Sequence, residues 1–191
     1  VRYIGIDVAG SKRNQVIAVL NDRLEIEKIL AEKVSSKEDA IKLARKIYDK
    51  YGKDSVIAID ASRYLSKGPK NGRQCEREIR SRKLANPQFT PTRETFDSEK
   101  HDWFQVGFYL FDAFGIRRPN VIEVFPTASY NCFKDSKLFF NLPIHFVSKK
   151  GGQDLLDAVC AAVTAYYYRK GDFTAYGDDE EGKIIVPAVK K

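Results

Sequence analysis

Five carboxylates sit where chemistry could be done. Asp7 closes the apolar run Tyr3-Ile4-Gly5-Ile6, Asp60 closes Val56-Ile57-Ala58-Ile59, and Glu123 lies among Val121, Ile122, Val124 and Phe125. Asp154 and Asp157 open a stretch that runs apolar from Ala158 to Val163. A helix that is hydrophobic all round is a buried helix. A spacing of three puts both aspartates on one face of it, about 4.5 Å apart along the axis. Asp154 also suits an ordinary N-cap or first-turn role, because the helix macrodipole favours a carboxylate there. Asp157 falls in the second turn and suits that role less well.

In parallel and mixed sheets, sites collect at the carboxyl ends of strands. If folding gathers the ends of the Asp7 and Asp60 strands, Glu123 and the start of the Asp154 helix, four or five carboxylates crowd together. They cannot all ionise at that range without raised pKa values. Divalent cations would make the cluster tolerable. Mg²⁺ or Mn²⁺ takes oxygen ligands, keeps several waters and bridges carboxylates to phosphates. Two such ions support in-line cleavage of a phosphodiester. Convergence is the assumption; Asp7, Asp60, Glu123 and Asp157 are then the catalytic candidates, and these four with Asp154 the metal ligands. Glu123 has an alternative as a buried residue paired with Arg117, Arg118 or another arginine.

Positive charge is clustered. Between Arg63 and Lys83 lie eight basic residues against only Glu76 and Glu78, a large share of the chain's net +7. Such a segment is an electrostatic footprint for phosphates, although a solvated basic face has the same composition. Arg73, Arg77 and Arg80 are the candidates to hold a polyanion, with Lys150, next to Lys149 before the last helix.

The elements follow from periodicity. Residues 2–9 read as a strand, 15–20 as its antiparallel neighbour, and Leu24 to Leu30 as a third strand. Ser35 to Asp39 opens a helix that Gly52 ends. Val56 to Asp60 is the fourth strand. Residues 61–91 form a basic insertion with turn signals at Gly68-Pro69 and Asn71-Gly72 and a short helix over 74–83. Trp103, Phe104, Phe108, Phe111 and Phe114 recur at helical spacing, so they are expected in the core rather than in a base-stacking platform. Val121 to Phe125 is the fifth strand, and residues 172–191 read as a tail with an acidic turn and a short strand at 183–186. The expectation is one α/β domain over 1–191, a mixed five-stranded sheet flanked by helices.

A chain of 191 residues with 43% hydrophobic residues can bury one sizeable core. Its 31% charged content, with no apolar run near the ~20 residues that span a bilayer, argues against a membrane protein. The first residues read as a strand rather than a signal peptide, which points to the cytoplasm. Cys75, Cys132 and Cys160 lack metal-ligand spacing and are expected as reduced thiols. His101 and His145 have no partners at ligand spacing.

Strand-Asp, two strands, helix, strand-Asp and a late helix with Asp-x-x-Asp form an order that resembles the ribonuclease H-like superfamily. Within it, the Asp154-x-x-Asp157-Ala158 pattern is similar to that of the bacterial Holliday-junction resolvases. More closely, the chain resembles the predicted nucleases of domain-of-unknown-function family 429. The matching pieces are Gly5-Ile6-Asp7-Val8-Ala9-Gly10, Ala58-Ile59-Asp60-Ala61, Gly72 to Arg80, Glu123 to Ala128, Asp154 to Ala158, and Tyr176-Gly177-Asp178 with Gly182 to Pro187. The resemblance implies a ribonuclease H-like fold, a carboxylate site of Asp7, Asp60, Glu123 and Asp157, and Arg73 and Arg80 beside it. Ser62 stands where the family often has proline.

Three functions compete. A Mg²⁺- or Mn²⁺-dependent nuclease uses the carboxylates and takes nucleic acid, DNA or RNA, as its partner. A phosphotransferase of the sugar-kinase and actin-like ATPase type opens with a similar hairpin, but Val8-Ala9-Gly10 lacks the paired glycines and the chain is short for two lobes. A nucleic-acid-binding module would use only the basic segment, with strong salt dependence. The oligomeric state is open, a homodimer included.

Overall fold

The computed structural model describes residues 1–150 and 152–189, with Lys150 by its backbone only. The chain begins with three antiparallel strands, β1 (Tyr3–Asp7), β2 (Asn14–Leu20) and β3 (Ile26–Lys33). Helix α1 (Lys37–Tyr51) starts at Ser36, whose hydroxyl accepts from Asp39 N, and stops at Gly52. Strand β4 (Val56–Asp60) then lies parallel to β1, and Asp7 faces Asp60 in register. The basic segment carries α2 (Gln74–Ser81) and is followed by α3 (Asp102–Phe114). Strand β5 (Val121–Val124) runs parallel to β4. Helices α4 (Pro126–Lys134), α5 (Pro143–Lys150) and α6 (Gln153–Lys170) come next, with a 3-10 turn at Phe139–Asn141. The hairpin β6 (Phe173–Asp178) and β7 (Gly182–Pro187) ends the fold.

The sheet has seven strands in the order β3-β2-β1-β4-β5-β7-β6, not five. The two extra strands come from the segment expected to be a tail. Ile184, Ile185 and Val186 are buried, and β7 lies parallel to β5 with Glu123 opposite Ile184. β6 is half-exposed along its length, so its residues lack the alternation that marks a strand. The third strand also extends beyond Leu30, to Lys33.

Side chains alternate between the two faces of a strand. On one face, α6 lies across β1, β2 and β4, with α4 and α5 packed on its other side. That double cover is why Ala158 to Ala165 are all buried. On the opposite face, α1 and α3 cover Ile4, Ile6, Ile57, Ile59 and Val121. A third cluster joins α2 to the hairpin through Cys75, Ile79, Ile184 and Val186. Among the described residues no helix is long and apolar enough to cross a membrane.

Two glycines set the tightest approaches. A Cβ on Gly5 would lie 2.0 Å from Ala158 O and 2.3 Å from Ala162 N, so β1 and α6 meet backbone to backbone. A Cβ on Gly107 would lie 2.5 Å from the Ala61 Cβ, which locks α3 against the residues that follow Asp60.

Candidate active site at the strand ends

β1 and β4 are parallel neighbours, about 4.8 Å apart, and Asp7 and Asp60 share one register position. Both lie on the face that carries Gly5 and Ala58, the face covered by α6. The contact of Gly5 with Ala158 brings the first turns of α6 over the end of β1, and with them Asp157. Asp157 accepts two hydrogen bonds from Gln153 Nε2, at 2.9 and 3.0 Å. Asp154 turns outward to Arg13, whose Nη2 donates to it at 2.7 Å.

The electrostatics of this group are one-sided. Burial, then the charges of Asp157 and Asp154, push the Asp7 carboxyl up to about 7, against a smaller lowering by Arg13. Burial holds Asp60 well above the usual carboxylate range, and the charges of Asp7, Asp157 and Glu123 raise it further. Asp157 is also raised, by burial first, with the Gln153 hydrogen bond opposing. Asp60 stays partly open to the cleft, yet no donor among the described residues reaches it. An interior charge without a partner is costly, so this set either holds protons or needs a cation.

Glu123 stands apart from this set. Its register partner is Ile59, one residue short of Asp60, so the pleat sends it to the opposite face. There it forms a buried ion pair with Arg73, whose two Nη atoms donate to its two oxygens. Arg63 N donates to Glu123 Oε2 at 2.9 Å. Arg73 itself is 1% exposed and spends its remaining donors on Glu76 Oε1 (3.0 Å), Ser62 Oγ (3.2 Å) and Glu181 O (3.1 Å). Thr90 N completes the network by donating to Glu76 Oε2 at 2.9 Å. Glu123 and Arg73, expected as metal ligand and phosphate contact, are instead each other's partners, and Arg73 has no surface to offer a substrate. A buried pair is retained because removing either member strands the other.

Arg77 and Arg80 remain on the surface of α2. Arg77 donates to Gly72 O, and the Arg80 guanidinium lies 4.1 Å over the Phe89 ring. The Lys150 side chain lies outside the described residues. A residue absent from the expected set is Trp103. It is half-buried and lines a cleft of about 210 Å³ together with Asp60, Val8, Pro87, Gln88 and Phe125. Its helical spacing with Phe104, Phe111 and Phe114 reads as core, and those three are indeed buried. Trp103 shares the helix face of Gly107, one turn nearer the strand ends, and no periodicity distinguishes that position.

Among the described residues, no group of three or more His, Cys, Asp or Glu side chains is already set to hold a metal ion. Mg²⁺ needs only one or two carboxylates and keeps its waters. Asp7 and Asp60, unneutralised neighbours, fit that requirement, with Asp157 within charge range of both.

Fold and site together define an α/β protein with a cluster of carboxylates at the carboxyl ends of two adjacent central strands. Residues 5–138 match the family described as Protein of unknown function (DUF429), and the chain belongs to that family. Asp7, Asp60, Glu123 and the basic segment lie within the matched region, while α6 lies beyond it. No curated protein and no solved structure gives a significant match.

Proposed function

We propose that the chain is a divalent-metal-dependent nuclease of ribonuclease H-like type, hydrolysing phosphodiester bonds at Asp7, Asp60 and Asp157. One observation carries the reading. Asp7 and Asp60 share a register position at the ends of adjacent strands, Asp157 bears on both, and Arg13, the arginine that bears on Asp7, is engaged by Asp154. In this reading the strands β3-β2-β1-β4-β5 are the ribonuclease H-like core, and β7 and β6 extend it.

In this reading Asp7 and Asp60 hold Mg²⁺ or Mn²⁺, which when bound polarises the phosphate and lowers the pKa of water. Gln153 fixes the Asp157 carboxylate by its two hydrogen bonds. Its raised proton affinity suits Asp157 to take a proton from the attacking water. Asp154 orients Arg13 at the rim, and Arg77 and Arg80, one and two turns along α2 from Arg73, supply positive surface for the polyanion. Arg73 and Glu123 shape the floor of the cleft and touch no substrate.

Calorimetry with Mn²⁺, paired with cleavage assays on single-stranded, duplex and branched DNA and RNA, tests this. Wild type is expected to bind Mn²⁺ and cleave at least one of these substrates. Asp7→Asn, Asp60→Asn and Asp157→Asn should fall to background while remaining folded by circular dichroism. Undiminished cleavage in Asp7→Asn and Asp60→Asn, or no Mn²⁺ binding by wild type, overturns the reading.

A further inference from the structure

The cleft beside Asp60 has a shape and a lining that the carboxylate chemistry does not use. The lining includes apolar Trp103, Pro87 and Phe125, with Asp60 and Gln88 among its polar members. The other polar groups of the lining are committed elsewhere: Arg73 bonds Glu76 and Glu123, and the Ser62 hydroxyl bonds Thr90 Oγ1 and accepts from Arg73. Gln88 is exposed, and its side-chain amide has no partner among the described residues. The open groups of the cleft are therefore an indole, a carboxylate and an amide.

Trp103 is held in place. Phe104, fully buried, backs its ring with centroids 3.7 Å apart and an angle of 28°. Gly107, four residues on and hence on the same helix face, meets Ala61 directly, next in the chain to Asp60. This contact sets how closely the α3 backbone approaches the end of β4, the two elements from which indole and carboxylate project.

We propose that this cleft receives one nucleobase of the substrate, stacked on Trp103 and read at its edge by the Gln88 amide. A nucleobase has apolar faces and a polar rim, and stacking on an aromatic side chain is the common way proteins hold an unpaired base. An amide can donate and accept at once, as a base edge requires. A base in the cleft leaves its phosphate, one sugar away, at the Asp60 end. The inference rests on the nuclease reading for the identity of the ligand, and it restricts the substrate to nucleic acid with an unpaired or extruded nucleotide at the site of cleavage.

Trp103 is the only tryptophan in the chain, so its fluorescence reports on the cleft alone. The four uncharged nucleosides, the four nucleoside 5′-monophosphates and ribose 5-phosphate are titrated into wild-type protein, in EDTA and in Mn²⁺. Saturable quenching by nucleosides in EDTA, and none by ribose 5-phosphate, is expected. By calorimetry, Trp103→Ala should weaken nucleotide binding about tenfold or more. Trp103→Phe should retain most of it and guard against loss of fold as the cause. Gln88→Ala, at an exposed position, should alter the ranking of the four bases. Absence of quenching by every nucleoside and nucleotide, equal quenching by ribose 5-phosphate, or unweakened binding by Trp103→Ala overturns the proposal. An unchanged base ranking in Gln88→Ala overturns the reading of the edge. These measurements need neither cleavage nor metal. Base binding without hydrolysis therefore counts against the nuclease reading alone, and hydrolysis without base binding against this one alone.

Discussion

A carboxylate crowded by other carboxylates works against the fold whenever it is ionised. Asp7 is pushed up to about 7 from an ordinary value of 3.8, by burial first and then by Asp157 and Asp154. Between those two pH values the folded chain holds a proton that the unfolded chain has released. Stability from this group therefore falls as pH rises through the window. In EDTA, Asp7→Asn is expected to melt a few degrees above wild type at pH 8. The difference should shrink towards pH 4, where Asp7 is protonated in the folded protein and resembles asparagine. Mn²⁺ should raise the melting temperature of wild type and have little effect on the variant. A variant that melts at or below wild type at pH 8 would show that Asp7 is compensated by a partner other than a cation. Glu123 is the counter-example on the same sheet: it is more buried than Asp7, yet Arg73 pairs with it.

The position of α6 on β1 determines which aspartates meet. One methyl group on Gly5 would lie 2.0 Å from a carbonyl oxygen and 2.3 Å from a backbone nitrogen, and neither can yield without moving the helix. Gly5→Ala is expected to cost about 1–3 kcal/mol in denaturant unfolding, the range for overpacking. Because the helix must shift, Mn²⁺ affinity should fall as well. Full Mn²⁺ affinity in the destabilised variant would mean that the α6 position does not set the site. This contact also shows where sequence reasoning runs out. Asp7 and Asp60 were legible because each ends an apolar strand, and the helix of Asp157 was legible because a long apolar run has to be buried. For Glu123 the sequence left two readings, metal ligand or buried partner of an arginine, and only the register of β5 against β4, fixed by packing that no local pattern contains, sends it to Arg73. Arg73 lies in a basic segment that reads as a phosphate footprint or a solvated face, and only the fold encloses it with Glu76 and Glu123. Trp103 shares its spacing with true core residues.

At the scale of the whole molecule, the C-terminal hairpin holds the basic segment against the sheet. Glu181, in the turn between β6 and β7, is 7% exposed. It accepts from Lys67 N at 2.7 Å and from Gln74 N at 3.0 Å, the latter at the start of α2. Its own carbonyl accepts from Arg73 Nη1 at 3.1 Å, and Gly177 N in β6 donates to Glu78 Oε2 at 2.9 Å. The expected short strand at 183–186 captured the apolar part of this element but not its purpose, because an acidic turn reads as a solvated one. Two parts of the chain more than a hundred residues apart are joined by one carboxylate, which burial alone would raise but which these backbone donors hold below the ordinary value. Glu181→Ala removes that acceptor and leaves two amides without a partner. The expected cost is about 1–3 kcal/mol, as for buried donors left unsatisfied. Hydrogen exchange should quicken at Lys67 and Gln74 and along α2, while amides of β1, β4 and α6 keep their protection. Mn²⁺ binding should be unchanged, because Asp7 and Asp60 are held by β1, β4 and α6 rather than by the hairpin. Nucleoside binding should weaken, because Pro87 and Gln88, which line the cleft, follow α2 on the segment set free. If exchange at Lys67 and Gln74 stays slow in Glu181→Ala, the segment is held by its own packing and the hairpin only covers it.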